Sequence, residues 1–238
     1  MGIPRISESS TLTKKEADMK KDVGGVSGNI LGTLVDSRHK LQYRKITPEK
    51  LRRHCLGENW QNFYRDIFGV EADFSNLRIP SEKEGFDRLI IVADGMTPQR
   101  LYGKCKELFP CWKQTGGLDK VVISSRAAKN RAYAIWIRDR VEADKELSYL
   151  SVDNLKEQNI PGITLEERLL YELKYFSETK QHLDMESITF CAGSRYNNGF
   201  VPTVKWASHY LGLGDELRVH ACISSSTFSG LRSRVVVS

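Results

Sequence analysis

Apolar residues recur at the spacing of an α-helix in three parts of the chain. Thr47-Pro48 pairs a capping residue with a proline suited to the first helical turn, and an aromatic stripe over residues 60–68 follows. Thr97-Pro98 repeats this start before a second stripe. In the third part, Thr164 and Glu167 match the S/T-x-x-E capping box, in which each side chain satisfies a free amide of the other residue. Three amphipathic helices are therefore predicted.

Short apolar runs between these helices predict strands at residues 88–93, 120–124 and 133–138. From Ser187 onwards the pattern changes to short alternating runs separated by polar turns. These runs predict strands at the following places: 187–191, 201–206, 217–221 and 231–237.

The segment 187–238 is also distinct in composition, with only seven charged residues among 52 and nine serines. It contains Asn198-Gly199, and Asn-Gly is a strong signal for a hairpin. We therefore expect an α+β fold, in which a helical and mixed N-terminal body carries a C-terminal antiparallel, β-rich segment. Residues 46–238 are expected to form one α+β domain, preceded by a basic, Gly/Ser-containing arm over residues 1–45.

The net charge of +6 is unevenly distributed along the chain. Residues 1–55 hold twelve Lys/Arg and six Asp/Glu, whereas residues 56–186 sum to −3 and residues 187–238 to +3. A basic N-terminal region can contact the phosphates of a nucleic acid. The other interpretation is a solvated terminus. The residues that would make the phosphate contacts are Lys14, Lys15, Lys20, Lys21, Arg52 and Arg53.

The sequence contains no apolar run of the roughly 18 residues that a membrane span needs, and no apolar core of a secretory signal. Its five cysteines form no C-x-x-C pair. We therefore expect no membrane insertion and a cytoplasmic location by default, with display on a cell surface or virion only through a partner.

The spacing of the histidines and glycines points to no cofactor, and no metal site is expected. The five histidines form neither H-x-H nor H-x-x-x-H, and no phosphate-binding loop or G-x-S-x-G turn is present. Asp139, Glu142 and Asp144 follow a predicted strand, as acid–base groups sometimes do. The alternative for them is a solvated junction, and we expect the protein not to be an enzyme.

The C-terminal loops hold the candidate ligand-binding residues, because aromatic side chains offer contact area and Ser, Asn and Gly offer adaptable hydrogen bonds. The alternative is that some of the rings face the core, with Trp206 first among them. The candidate binding surface consists of Tyr196, Asn197, Asn198, Lys205, Trp206, Ser208, His209, Tyr210, Asp215, Arg218, His220, Ser224, Ser226 and Phe228.

Four features of this segment resemble the variable proteins of diversity-generating retroelements. They are Cys191-Ala-Gly-Ser-Arg195, Trp206, the run Leu217–Ala221 and the terminal Leu231–Ser238. The resemblance implies a C-type-lectin-like fold, in the branch shared with formylglycine-generating enzymes. It also implies a fixed scaffold that displays residues diversified by adenine-directed mutagenesis.

The catalytic cysteine pair of those enzymes has no clear counterpart in Cys191 and Cys222, and Arg195 departs from the Gly-Gly-Ser-Trp type of turn of that fold. The expected function is therefore a non-catalytic ligand- or protein-binding display protein, with an unidentified protein or other ligand as its partner. The alternative function is a nucleic-acid-associated protein that uses residues 1–55.

Overall fold

The computed structural model describes residues 48–208 and 214–238. The predicted arm, Thr47 and two predicted site residues, His209 and Tyr210, lie outside the described residues. The helices are α1 Pro48–Phe68, α2 Pro98–Leu108, α3 Leu118–Val121, α4 Val152–Glu157 and α5 Leu165–Thr179. The strands are β1 Arg88–Val92, β2 Cys111–Lys113, β3 Val122–Ser124, β4 Tyr133–Ile137, β5 Ile188–Phe190, β6 Ser194–Tyr196, β7 Val201–Ala207, β8 Glu216–Cys222 and β9 Leu231–Ser233.

The three predicted helices are confirmed, together with two of their caps. At the start of α2, the Thr97 side chain accepts a hydrogen bond from the Arg100 amide. At the start of α5, the Thr164 amide donates to Glu167 Oε2 at 2.7 Å, and the Glu167 amide donates to Thr164 Oγ1 at 3.2 Å. Among the described helices, none is long and apolar enough to cross a bilayer.

The predicted strands are confirmed with three differences. The run 120–124 begins as the last turn of α3, because the Val122 amide closes a turn onto Leu118, and only Val122–Ser124 is extended. The run 231–237 pairs continuously only over β9 and then makes two isolated bridges, Gly162 to Val235 and Trp136 to Val237. Two strands, β2 and β6, are additional: β2 lies parallel to β8, and β6 pairs antiparallel with β3.

The C-terminal segment forms a mixed sheet and not the antiparallel one that its sequence predicts. The five-stranded sheet of the described residues has the order β2-β8-β7-β5-β9. Strand β7 is antiparallel to β5 and β8, but β9 lies parallel to β5, and β2 lies parallel to β8. The reason is the connection over residues 223–230, which passes β7 and β5 before β9 begins. A tight hairpin would have produced an antiparallel neighbour.

The two faces of this sheet have different surroundings, because successive side chains of a strand point to opposite sides. On the inner face, Val204 and Trp206 of β7 and Leu217 and Val219 of β8 belong to the main hydrophobic core. Much of helix α5 is buried as well. On the outer face, a small second cluster covers one end of the sheet: Val152, Phe190, Val201 and Leu231.

A network of buried charges joins α5, β5 and the C-terminal residues. Asp184, which is fully buried, accepts hydrogen bonds from Arg168 Nε at 2.8 Å and from Arg234 Nη2 at 2.7 Å. Thr189 Oγ1 also donates to this carboxylate. Burial opposes ionisation of Asp184, but the two guanidinium groups lower the pKa of its carboxyl below the ordinary value.

Asp184→Asn should destabilise the protein by about 3–5 kcal/mol, because buried Arg234 would lose its compensating anion and buried Arg168 would keep only Glu172. Urea denaturation at pH 7 measures this change in the free energy of unfolding. The matched control is Glu146→Gln, which removes an exposed carboxylate bound to Arg140 at 2.7 Å. Its effect should stay within about 1 kcal/mol. Equal losses for the two variants would contradict the importance given to the buried network.

Candidate functional site

The open part of the outer face is formed by β7, β8 and β2. Lys205 lies opposite Arg218 in the antiparallel register, and Thr203 lies opposite His220. Side chains directly opposite each other in a sheet lie about 5 Å apart at Cβ, so these four form one continuous patch. Trp112 of β2 extends the patch, because it is in register with Arg218.

A pocket of about 260 Å³ opens on this patch. Phe228, on the connection between β8 and β9, forms part of its wall. Its lining residues are Ile188, Thr203, Lys205, Arg218, His220, Ala221, Cys222, Phe228 and Leu231. We refer to it below as the outer-face pocket. One part of the wall is cationic and the other part is apolar.

Aromatic and charged groups meet beside the outer-face pocket. The rings of Trp112 and His220 lie 4.7 Å apart, and the Arg218 guanidinium lies 5.6 Å from the Trp112 ring centroid. Arg218 also forms an ion pair with Glu216. Partial burial lowers the pKa of His220 below its ordinary value of 6.5, and the charges of Arg218 and Lys205 lower it further. The imidazole is therefore neutral at pH 7.

The structure brings together four of the predicted site residues, Lys205, Arg218, His220 and Phe228, around one pocket. Ser224 and Ser226 precede Phe228 on the same connection, where Ser224 Oγ donates to Asp153 Oδ2 at 2.9 Å. Both serines are half-buried.

The other predicted residues lie away from the outer-face pocket. Tyr196 and Trp206 are only 3% and 6% exposed and pack in the main core, because their positions on β6 and β7 point inwards. Trp206 stacks on His182 with a centroid distance of 3.3 Å. Asn197 and Asn198 form the exposed turn between β6 and β7, and Gly199 there has a φ of +88°. Ser208 and Asp215 are exposed near the ends of β7 and β8.

Two contributors to the patch are absent from the predicted set, Trp112 and Thr203. The alternation along residues 201–206 places Thr203 on the same face as Lys205, so the sequence pattern is sufficient to identify this residue. Trp112 reaches the patch through a parallel pairing of β2 with β8, and no local pattern indicates that pairing.

The three carboxylates after β4 are engaged in separate structural contacts. Asp144 binds Arg138 at 2.7 Å and the Val235 amide at 2.8 Å. Glu142 accepts from the amide and hydroxyl of Ser187, and Asp139 accepts from Tyr171 Oη at 3.0 Å. None of the three lines either of the two pockets described here. Across residues 48–208 and 214–238, no group of three His, Cys, Asp or Glu side chains is arranged to hold a metal ion.

A larger cleft of about 1300 Å³ lies between residues 70–81, residues 125–134 and the C-terminal Val237-Ser238. Its wall carries charges of both signs, such as Arg78 and Arg131 beside Glu71 and Asp94. None of the predicted site residues lines this cleft. The outer-face pocket is therefore the stronger candidate site, because its charge has one dominant sign and predicted residues surround it.

A second cluster with unusual electrostatics joins the β3–β6 pair to the start of α5. Ser124 Oγ donates to Glu166 Oε2 at 2.6 Å and lies 2.7 Å from Ser194 Oγ, which accepts from the Leu165 amide. Burial raises the pKa of Glu166 to about 7, although the Ser124 hydrogen bond lowers it. The cluster lines neither pocket, and its role is to attach the small sheet to the helix.

Comparisons of this chain with protein-family profiles, with curated proteins and with solved structures found no match.

Glu166→Gln should change how stability depends on pH. Folded Glu166 binds its proton more tightly than an unfolded glutamate, whose pKa is about 4.5, so this residue costs stability as the pH rises from 4.5 to 7. Glutamine still offers an acceptor to Ser124 and cannot ionise. Between pH 4.5 and pH 8, the free energy of unfolding of the variant should rise by roughly 2–3 kcal/mol relative to that of the wild type. Denaturation at several pH values measures this gain, and a difference between the variant and the wild type that stays constant with pH would contradict the prediction.

Trp112 should report on the charge of the outer face through fluorescence quenching. It is 40% exposed, whereas the other three tryptophans are at most 6% exposed. Because Arg218 and Lys205 are nearby, iodide should quench the accessible emission more strongly than caesium does. Trp112→Phe should remove most of this difference. Equal quenching by the two ions would contradict a cationic patch.

Proposed function

We propose that this protein is a non-catalytic binding protein whose ligand docks on the outer face of the five-stranded sheet. The finer proposal is that it is a variable protein of a diversity-generating retroelement, with a C-type-lectin-like fold. Under this proposal the side chains of the outer face are the diversified positions, and the residues of the inner face are the scaffold.

The observation that carries the proposal is the convergence of Lys205, Arg218, His220 and Phe228 on one pocket. Lys205 and His220, which are partly exposed, alternate along β7 and β8 with buried residues such as Val204 and Val219, whereas Arg218 is only 6% exposed. A binding protein with a variable surface needs this separation, because replacement of an outward side chain leaves the core packing intact.

Association with nucleic acid through residues 1–55 is the second proposal. Its support is the charge of the sequence, since residues 1–47 lie outside the described part of the chain. Within the described residues, Arg52 at the start of α1 forms an ion pair with Glu82 at 2.8 Å. Because it rests on charge alone, this second function ranks below binding at the sheet.

The gene locus provides the test of the retroelement proposal. We expect a near-copy of the 3′ coding region and a reverse-transcriptase gene close by. Differences between the copy and the gene should fall at adenines of the copy and in the codons of outward residues, namely 203, 205, 218 and 220.

The inward codons of the same two strands, 204, 206, 217 and 219, are the matched internal control and should be identical in the two copies. A locus without a near-copy and without a reverse transcriptase would remove the diversification proposal. Differences spread evenly over inward and outward codons would also contradict it, because changes to buried residues would disrupt the core.

A further inference from the structure

The wall of the outer-face pocket is divided by chemistry, and this division indicates what kind of ligand fits it. This inference rests on the proposed function of the face as a binding surface. Lys205, Arg218 and His220 supply the polar side of the wall, on β7 and β8. Phe228, Ile188 and Leu231 supply the apolar side, from the connection, β5 and β9.

The cationic side carries an excess of positive charge. The carboxylate of Glu216 pairs with Arg218, which accounts for one cation. The side chain of half-buried Lys205, by contrast, makes neither a hydrogen bond nor an ion pair to any of the described residues. A partly desolvated ammonium group gains free energy when an anion approaches it, and more so than one in open water.

The apolar side presents an exposed aromatic ring next to this charge, because the Phe228 side chain is 45% exposed. An exposed ring next to a concave surface favours a flat apolar group as ligand, because contact with it removes the surface of the ring from water. The volume of about 260 Å³ lies just below the range of about 300–1,000 Å³ that accommodates drug-sized molecules.

We propose that the outer-face pocket binds a small aryl anion, a molecule in which a carboxylate, sulfonate or phosphate is attached to one aromatic ring. The anionic group pairs with Lys205 on β7, and the ring packs against Phe228 and Ile188. Neither half of such a ligand suffices alone, because each side of the wall recognises only one of them.

Three small probes test the proposal on the full chain, and amide and histidine NMR signals report where they bind. Benzenesulfonate carries both halves, benzyl alcohol carries a ring without charge, and methanesulfonate carries the charge without a ring. Benzenesulfonate should bind at least about tenfold more tightly than either of the others, because its two contacts add. The largest shifts should lie at Lys205, His220 and Phe228.

Two substitutions separate the ionic contribution of the pocket wall to binding from its apolar contribution. Lys205→Gln should weaken benzenesulfonate at least about fivefold and leave benzyl alcohol unchanged, since only the ionic contact is lost. Phe228→Ala should weaken both ring-bearing probes and leave methanesulfonate unchanged. Lys120→Gln is the matched control, because this exposed lysine lines neither pocket. Unfolding curves of all variants should coincide, as each replaced side chain is at least partly exposed.

Benzenesulfonate keeps its charge between pH 5 and pH 8, so the pH dependence of binding reports on the protein. The charged groups that act on His220 are Arg218, Lys205 and Glu216. A bound anion should raise the pKa of this imidazole, and binding should therefore strengthen as the pH falls from 8 to 5.5.

Two outcomes would overturn the proposal. If benzyl alcohol binds the pocket as tightly as benzenesulfonate and Lys205→Gln has no effect, the anionic selectivity is absent while the face remains a binding surface. If none of the three probes shifts the signals of the outer face, the aryl-anion proposal is wrong, and the gene locus still decides the retroelement proposal independently.

Discussion

The carboxylate of Asp184 is the constraint on which the rest of the described structure depends. Its side chain accepts from Arg168 of α5, from Thr189 of β5 and from Arg234 near the C-terminus. Its backbone amide donates to Val141, and its carbonyl accepts from the Trp206 amide of β7. Burying these charged groups is unfavourable unless each is compensated, so the network favours the arrangement in which these elements meet at Asp184. The position of β7, and with it the outer face, follows from that arrangement.

A close approach between two backbone segments also holds the C-terminal segment in place. A side chain at Gly193 would come within 2.7 Å of the Gly162 carbonyl oxygen, and one at Gly162 would come within 2.5 Å of Ala192 Cβ. Glycine is required at both positions because the two backbone segments are in contact there. The Gly193 amide donates to Ile163, whose own amide donates to the Arg234 carbonyl. The blocks Cys191–Arg195 and Leu231–Ser238 therefore meet on one short segment.

The sequence predicted the elements whose signals are local and missed the pairings that are not. The capping box at Thr164 and the apolar run at 88–93 depend on neighbouring residues, and both were confirmed. The parallel pairing of β9 with β5 depends on where a connection crosses the sheet, which no short pattern encodes. The residues of the candidate site fall into the same two groups, those with a local signal and those without one. Alternation along β7 made Lys205 accessible to prediction, whereas Trp112 joins the site through a distant pairing.

The burial of Tyr196 and Trp206 sharpens what composition can say about a binding surface. Composition predicts a single display set of Tyr, Trp, Asn and Ser residues, but the strand periodicity assigns its members to opposite faces. The inward rings stabilise the core, since Trp206 stacks on His182, which is hydrogen-bonded to Glu172 at 2.8 Å. Glu172 in turn binds Arg168 and so joins the Asp184 network. The same strand thus fixes the framework with its inward side chains and leaves Lys205 partly exposed on the outer face. Because the backbone of β7 is held from the inner side, the outer-face pocket keeps its position relative to the core.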